Sequence, residues 1–282
     1  METLIELSNY SFRYKGAKTN ALQDVSFKIN RGEYVSIIGP TGAGKTTICR
    51  SVLGLIPSLY GGEASGEIWV MGKKVEEYNV AQISAAVGYV HQDAESQIMM
   101  TNIEKEIAFP LENLAVPRNE IKERIDYALE LVHLEDYRTR HPFYLSGGQR
   151  QRVVLATALA MQPEVLILDE ATSEIDPLGA EEIMTVTKEL NDLGKTIIMI
   201  EHNMEEVSRF ADRIIVVDKG VVRADDVTEK VLTDMDMLDD LKIYPPEVTQ
   251  LFVELKKRGL EVEHIPMTVE QAVTELKRLL NK

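Results

Sequence analysis

Gly39-Pro40-Thr41-Gly42-Ala43-Gly44-Lys45-Thr46-Thr47 fits the phosphate-loop pattern G-x-x-x-x-G-K-[ST] without a mismatch. The glycines let the backbone curl so that consecutive N–H groups point at phosphate oxygens, and a following helix adds its positive end. In such a loop Lys45 neutralises the phosphates and Thr46 supplies a hydroxyl ligand to Mg²⁺. A second constellation, Val165-Leu166-Ile167-Leu168-Asp169-Glu170, is four apolar residues ending in two carboxylates. Asp169 is suited to holding Mg²⁺ through water, and Glu170 to taking a proton from an attacking water. Between the two motifs stands Leu145-Ser146-Gly147-Gly148-Gln149. A serine hydroxyl and glycine N–H groups at a helix start make an anion site that needs a phosphate from outside.

These groups work only if the chain holds them in place. A phosphate loop must follow a strand and open a helix; Tyr34-Val35-Ser36-Ile37-Ile38 supplies the strand, and Thr46 to Leu53 the helix. The apolar run before Asp169 reads as a strand buried on both faces, with its carboxylates at the C-terminal end where open α/β sheets bind ligands. Residues 2 to 8 and 22 to 29 alternate apolar and polar positions, predicting antiparallel strands separated by the turn-rich stretch Tyr14 to Asn20. From Ile103 to about Ala160 the period turns helical, with Ile121, Ile125, Leu129 and Val132 on one face. A further helix runs from Gln149 to Met161 and halts before Pro163, so this stretch reads as a helical insertion.

A helix at Glu181–Asn191 then leads to strands at Thr196–Ile200, Ile214–Val217 and Val221-Val222, the last two around an Asp218-Lys219-Gly220 turn. The alternation predicts an α/β chain with a mostly parallel sheet covered by helices. Beyond Arg223 six aspartates dot an acidic connector, and Pro245-Pro246 precedes a helix with Val248, Leu251, Phe252 and Leu255 on one face. Thr268 with Gln271 signals a capping box for a last helix carrying Val269, Val273, Leu276 and Leu280. Two short amphipathic helices bury little alone, so they dock on their own main domain or pair with another subunit.

Composition bounds the rest. The 282 residues predict one large domain with a small appendage. No apolar run approaches the ~20 residues needed to cross a bilayer, and Met1-Glu2-Thr3-Leu4 lacks the order of a signal peptide, which predicts a chain that stays in the cytosol. Cys49 is the only cysteine, so no intrachain disulfide forms, and its place after the phosphate loop reads as a buried small hydrophobe. With 31 Lys and Arg against 46 Asp and Glu, the net charge of −15 repels phosphodiester backbones, and no nucleic-acid partner is expected.

With the three motifs in this order, residues 2 to about 225 resemble the nucleotide-binding subunits of ATP-binding-cassette transporters. The resemblance implies a P-loop NTPase fold: a mixed, mostly parallel core sheet, an N-terminal antiparallel β subdomain, and an inserted helical subdomain at about 93–162. Residues 1–225 would form this domain and residues 226–282 a small helical C-terminal region that aids dimerisation. ATP and Mg²⁺ are the implied cofactors. Tyr14 would stack on adenine, Gly39 to Thr47 would bind the phosphates, and Thr46, Gln92 and Asp169 would serve the metal. Catalysis would fall to Lys45, Gln92, Glu170 and His202, the last contacting the γ-phosphate. Two such subunits meet head to tail. Ser146, Gly147, Gly148 and Gln149 would therefore complete the ATP site of the partner, and Asp176 would lie in the loop crossing to it.

Gln92-Asp93-Ala94-Glu95-Ser96-Gln97 and the tail from Leu241 to Gln271 carry a narrower resemblance, to the paired ATPases of energy-coupling-factor transporters, which import vitamins or transition-metal ions. It implies a second ATPase, identical or paralogous, a transmembrane coupling subunit, a substrate-binding membrane subunit, and a peripheral place on the cytoplasmic face of the cell membrane. Asp93, Glu95, Glu104 and Glu106 are the acids expected to receive a basic helix of the membrane subunit. Glu174-Ile175 and Pro110 depart from the common family residues. The alternatives are an ATPase of another cassette-transporter class or a soluble non-transport cassette; the second calls for a long coiled coil, or for two cassettes joined by a basic linker, and neither is visible.

Overall fold

The computed structural model describes residues 2–280. Strands β1 (Thr3–Tyr14) and β2 (Leu22–Asn30) pair antiparallel, and β3 (Tyr34–Ile38) leads through the glycine loop into α1 (Lys45–Val52). Strands β4 (Gly62–Val70) and β5 (Lys73–Lys74) complete a four-stranded antiparallel sheet ordered β2-β1-β4-β5. Helix α2 (Val80–Ala86) precedes β6 (Val87–His91), after which α3 (Ala94–Gln97), α4 (Ile103–Asn113), α5 (Arg118–Leu131) and α6 (Gly147–Ala160) form the helical insertion. The chain returns through β7 (Val165–Asp169), α7 (Pro177–Asp192), β8 (Thr196–Ile200), α8 (Met204–Phe210), β9 (Arg213–Asp218) and β10 (Val221–Val227). The second sheet runs β10-β9-β3-β8-β7-β6, parallel except for the β9–β10 hairpin.

Side chains of the central strands divide between two cores with the two-residue period of a strand. Tyr34, Leu166, Leu168, Ile197, Met199, Ile214 and Val216 face the helical insertion and α7. Val35, Ile37, Val165, Ile167, Ile198, Ile200, Ile215 and Val217 face α1 and the antiparallel sheet, meeting Phe12, Ile29 and Ile48. Burial on both faces is why these strands read as continuous apolar runs.

Two expectations change. β1 continues past residue 8 to Tyr14, because a register shift around Asn9, at φ 49°, lets the pairing resume at Tyr10. The acidic stretch after Arg223 is ordered structure: β10, then α9 (Thr228–Leu232) and α10 (Met235–Leu241), whose Val231, Leu232 and Leu241 join the main core. Its aspartates have local work; Asp225 pairs with Arg213, Asp226 with Lys230, and Asp234 caps α10. Helices α11 (Glu247–Lys257) and α12 (Val269–Leu280) build a small separate core of Phe252, Val262 and Ala272. On α11 Phe252 is fully buried, whereas Leu251 is half exposed.

Candidate nucleotide site

The glycine loop crosses from β3 to α1 in a backbone path that side chains would block. Gly39 has φ +153°, and a Cβ there would lie 2.0 Å from the carbonyl oxygen of Val217; Gly44, at φ +110°, would put one 2.8 Å from that of Ala21. Lys45 folds back over the loop, donating to the carbonyl oxygens of Gly39 at 2.8 Å and Pro40 at 3.3 Å, with His202 Nε2 3.5 Å away. Burial draws its pKa below the usual lysine value, opposed by the charges of Glu170 and Asp169. Thr47 in the first turn of α1 shares a hydrogen bond of 3.1 Å with the hydroxyl of Tyr14. The Tyr14 ring stands edge-on to Phe12, and Tyr14 lines a cleft of about 410 Å³ with Arg13, Lys15 and Gly62.

At the end of β7 the buried Asp169 accepts from Thr46 Oγ1 at 3.3 Å and from the hydroxyl of Tyr89 at 2.8 Å. Glu170 sits in the left-handed region at φ 55°, rare for a residue with a side chain and concentrated at functional sites. Its N–H is fixed by Ile200 O, and its Oε1 lies 2.8 Å from His202 Nε2. Lys45, Thr46, Asp169, Glu170 and His202 thus converge. Gln92 does not join them: it follows β6 and donates to Glu174 Oε1 at 3.3 Å.

Ser146 caps α6 in a reciprocal box, accepting from Gln149 N at 3.2 Å while Gln149 Oε1 accepts from Ser146 N at 3.0 Å. Gly148 rests against the first turn of α7; a Cβ there would come within 3.6 Å of Gly179 Cα and 3.8 Å of Asp176 Oδ2. Asp176 in turn caps α7 through the N–H groups of Leu178 and Gly179. Ser146–Gly148 and Asp176 are therefore neighbours in one chain, and the capping bonds of Ser146 and Gln149 stay within their own helix turn.

Three residues given no role at the site by the sequence, one of them the second glutamine of the Gln92–Gln97 motif, organise it. Tyr89 holds the second oxygen of Asp169. Gln97 accepts from His91 N at 2.7 Å, and the buried Gln151 donates to His91 O at 2.8 Å, so both pin the backbone that delivers Gln92. A polar residue amid the apolar period of α6 was the available signal for Gln151; for Tyr89 there was none, because a tyrosine in a strand ordinarily packs. The four acids expected to meet a basic helix are already engaged. Glu106 is buried and accepts from Met99 N and Met100 N, Glu95 pairs with Arg150, Glu104 with Arg138, and Asp93 caps α3. The helical insertion exposes the large apolar side chains of Met99, Phe143 and Tyr144. Cys49 is buried, and burial lifts its thiol well above the usual range, leaving it inert.

A glycine cradle at a helix start, with a lysine over it and a carboxylate strand beside it, defines a nucleotide triphosphatase of the phosphate-loop class. Residues 22–173 match the family model described as ABC transporter. The energy-coupling factor transporter ATP-binding protein EcfA1 of Enterococcus faecalis is 40% identical over 285 residues, covering 100% of both chains. The structure of cbiO1 from Clostridium perfringens, described as part of the ABC transporter complex cbiONQ, superposes with a TM-score of 0.75 at 27% identity, over 91% of this chain and 100% of that one. The ATP-binding cassette MJ0796, in a dimeric post-hydrolysis state bound to ADP and Pi, does so with a TM-score of 0.70 at 29% identity, over 80% of this chain and 99% of that one. The chain belongs to the ATP-binding-cassette transporter family and is an ATPase.

Proposed function

We propose that this chain is the ATP-binding subunit of an energy-coupling-factor importer, hydrolysing ATP in a head-to-tail dimer to drive uptake of a vitamin or a transition-metal ion. The observation that carries the catalytic part is the convergence of Lys45, Thr46, Asp169, Glu170 and His202 at the open end of the parallel sheet. The full-length likeness to EcfA1 supports the transporter class. In this reading residues 1–225 are the nucleotide-binding domain, with residues 93–162 as its helical subdomain, and residues 226–282 serve dimerisation at the cytoplasmic face of the membrane.

Lys45 exchanges the carbonyl oxygens of Gly39 and Pro40 for the β- and γ-phosphates, which its partial burial favours by strengthening the charge interaction. A hydroxyl and a carboxylate oxygen 3.3 Å apart, on Thr46 and Asp169, form the oxygen-only set that suits Mg²⁺ shared with substrate phosphates, with Gln92 as a further ligand once freed from Glu174. That ion, when bound, neutralises phosphate charge. Glu170 takes the proton of the attacking water, and His202 moves from Glu170 to the γ-phosphate. Tyr14 stacks on adenine, and Ser146, Gly147, Gly148 and Gln149, with Asp176 beside them, close on the ATP of the partner. Closure on ATP and reopening after hydrolysis pass to the membrane subunits as a population shift.

Copurification in mild detergent with mass identification of the bound chains tests the assignment. The expected complex holds a second cassette ATPase, a transmembrane coupling subunit and a small substrate-binding membrane protein. Recovery with a conventional two-permease exporter, or with ribosomes, would overturn the importer reading.

A further inference from the structure

Thr172 stands two residues past Glu170, and its hydroxyl faces two carboxylates: Glu201 Oε1 at 2.6 Å and Glu206 Oε2 at 3.1 Å. Glu201 follows β8 and is only 4% exposed; Glu206 lies in the first turn of α8. A hydroxyl has one proton to give. The 2.6 Å separation is that of an O–H bonded to an ionised carboxylate, so Thr172 donates to Glu201. The contact with Glu206 would then set lone pair against lone pair unless Glu206 carries a proton and donates it to Thr172. The remaining oxygens agree with this assignment. Glu201 Oε2 accepts the backbone N–H of His202 at 3.1 Å, so both its oxygens act as acceptors, while Glu206 Oε1 accepts from Asn203 Nδ2 at 3.0 Å.

We infer that Glu206 and Glu201 hold a single proton between them through Thr172, and that this relay fixes the backbone of His202 opposite Glu170. Glu201, Thr172 and Glu206 are then positioning residues for the hydrolytic site; the inference rests on the reading of His202 as the γ-phosphate contact. The charged and titratable groups around Glu206 are Glu201 beyond β8, Glu181 on α7, Arg209 on α8 and Tyr34 on β3. Arg209 is committed to Glu181 by two bonds of 2.7 Å, so it does not neutralise the pair. Burial, and next the charge of Glu201, push the Glu206 carboxyl above the ordinary glutamate range.

Infrared spectroscopy of the full chain with isotope-labelled glutamate carboxyls reads the proton directly. In a pH series the wild type keeps a protonated-carboxyl stretch, lacking in Glu206→Gln, at pH values above the ordinary glutamate range; its absence there overturns the shared proton. Steady-state ATPase against pH reads the positioning. Wild-type kcat falls about tenfold per pH unit above the point where Glu206 ionises, the slope of one-proton linkage. Glu206→Gln, whose amide N–H still donates to Thr172, keeps its kcat there. Superimposable profiles, with the stretch present, overturn the link to His202. His202→Ala at full turnover would sink the underlying reading of His202 while leaving the infrared difference intact, so the two failures are distinguishable.

Discussion

Replacing Ser146 with Asp separates what this residue does for its own chain from what it does for the partner. Ser146 caps α6, accepting from Gln149 N. Aspartate caps a helix about as well as serine, whereas alanine costs about 0.5–2 kcal/mol, and a negative charge at the N-terminus adds about 0.3–1 kcal/mol of favourable dipole interaction. Ser146→Asp is therefore expected to keep or slightly raise the melting temperature, while Ser146→Ala lowers it. Against an incoming γ-phosphate the same carboxylate is repulsive. At a separation of about 5 Å and an effective dielectric of about 20, one charge pair costs about 3 kcal/mol, or roughly a hundredfold in turnover. None of this touches the chain's own phosphate loop, where the side chains of Lys45 and Thr46 bond to Gly39, Pro40, His202 and Asp169. Titration of the isolated chain with a fluorescent ATP analogue should give wild-type affinity, and the assembled ATPase should lose turnover. Weakened ATP binding by the isolated chain would place the motif at its own nucleotide; wild-type turnover in the assembly would deny it any phosphate.

Glu170→Gln retains a hydrogen-bonding group opposite His202 but no base, so turnover should fall by about 10²–10⁴ with ATP binding preserved; near-normal hydrolysis would remove Glu170 from the reaction. Tyr89→Phe leaves the buried Asp169 short of one donor, at a cost of about 1–3 kcal/mol in thermal unfolding, and should raise the Mg²⁺ concentration needed for tight nucleotide binding; unchanged Mg²⁺ dependence would reduce Tyr89 to packing. Hydrogen bonds from Arg278, joined by the N–H of Glu263, draw the Glu275 carboxyl down to about 2. A depressed carboxylate stabilises fully above its unfolded pKa near 4.5 and loses that contribution as pH falls toward 2. Hydrogen exchange in α12 should therefore accelerate across that acid window in the wild type, and Glu275→Gln should exchange faster at neutral pH with no further acid step.

The elements and their chemistry were legible wherever a local rule specified them. The apolar runs at 34–38, 165–168 and 196–200 proved to be strands covered on both faces, and the glycine loop needed its glycines because carbonyl oxygens of Val217 and Ala21 occupy the Cβ positions. What escaped was pairing between segments. Nothing near Asp93, Glu95, Glu104 or Glu106 announces that a capped turn, Arg150, Arg138 and two methionine N–H groups consume them, since those partners are fixed only when the insertion folds back. The bond of Gln92 to Glu174 is of the same kind, and it uses one of the two loop residues that depart from the family pattern.

Helix α12 shows that a correct period does not say which side of a helix faces inward. Val269, Val273, Leu276 and Leu280 recur as an amphipathic stripe should, yet they are 39–83% exposed, while the inner face presents Ala272 and Glu275 to the rest of the chain. The inward glutamate is not a defect, because Arg278 and the N–H of Glu263 satisfy it. In cis the helix is thus held by a small apolar contact and a charged anchor, and among the described residues its larger apolar face stays exposed. A single exposed leucine needs no explanation, but four exposed apolar residues at helical spacing along one helix form the kind of stripe that marks an association surface. This supports the proposed dimerisation role for residues 226–282, in which the inner face docks on its own chain and the stripe would meet a second ATPase. Val273→Glu together with Leu276→Glu should then leave the melting temperature of the isolated chain nearly unchanged while weakening assembly, and a large loss of monomer stability would return the stripe to the chain's own fold.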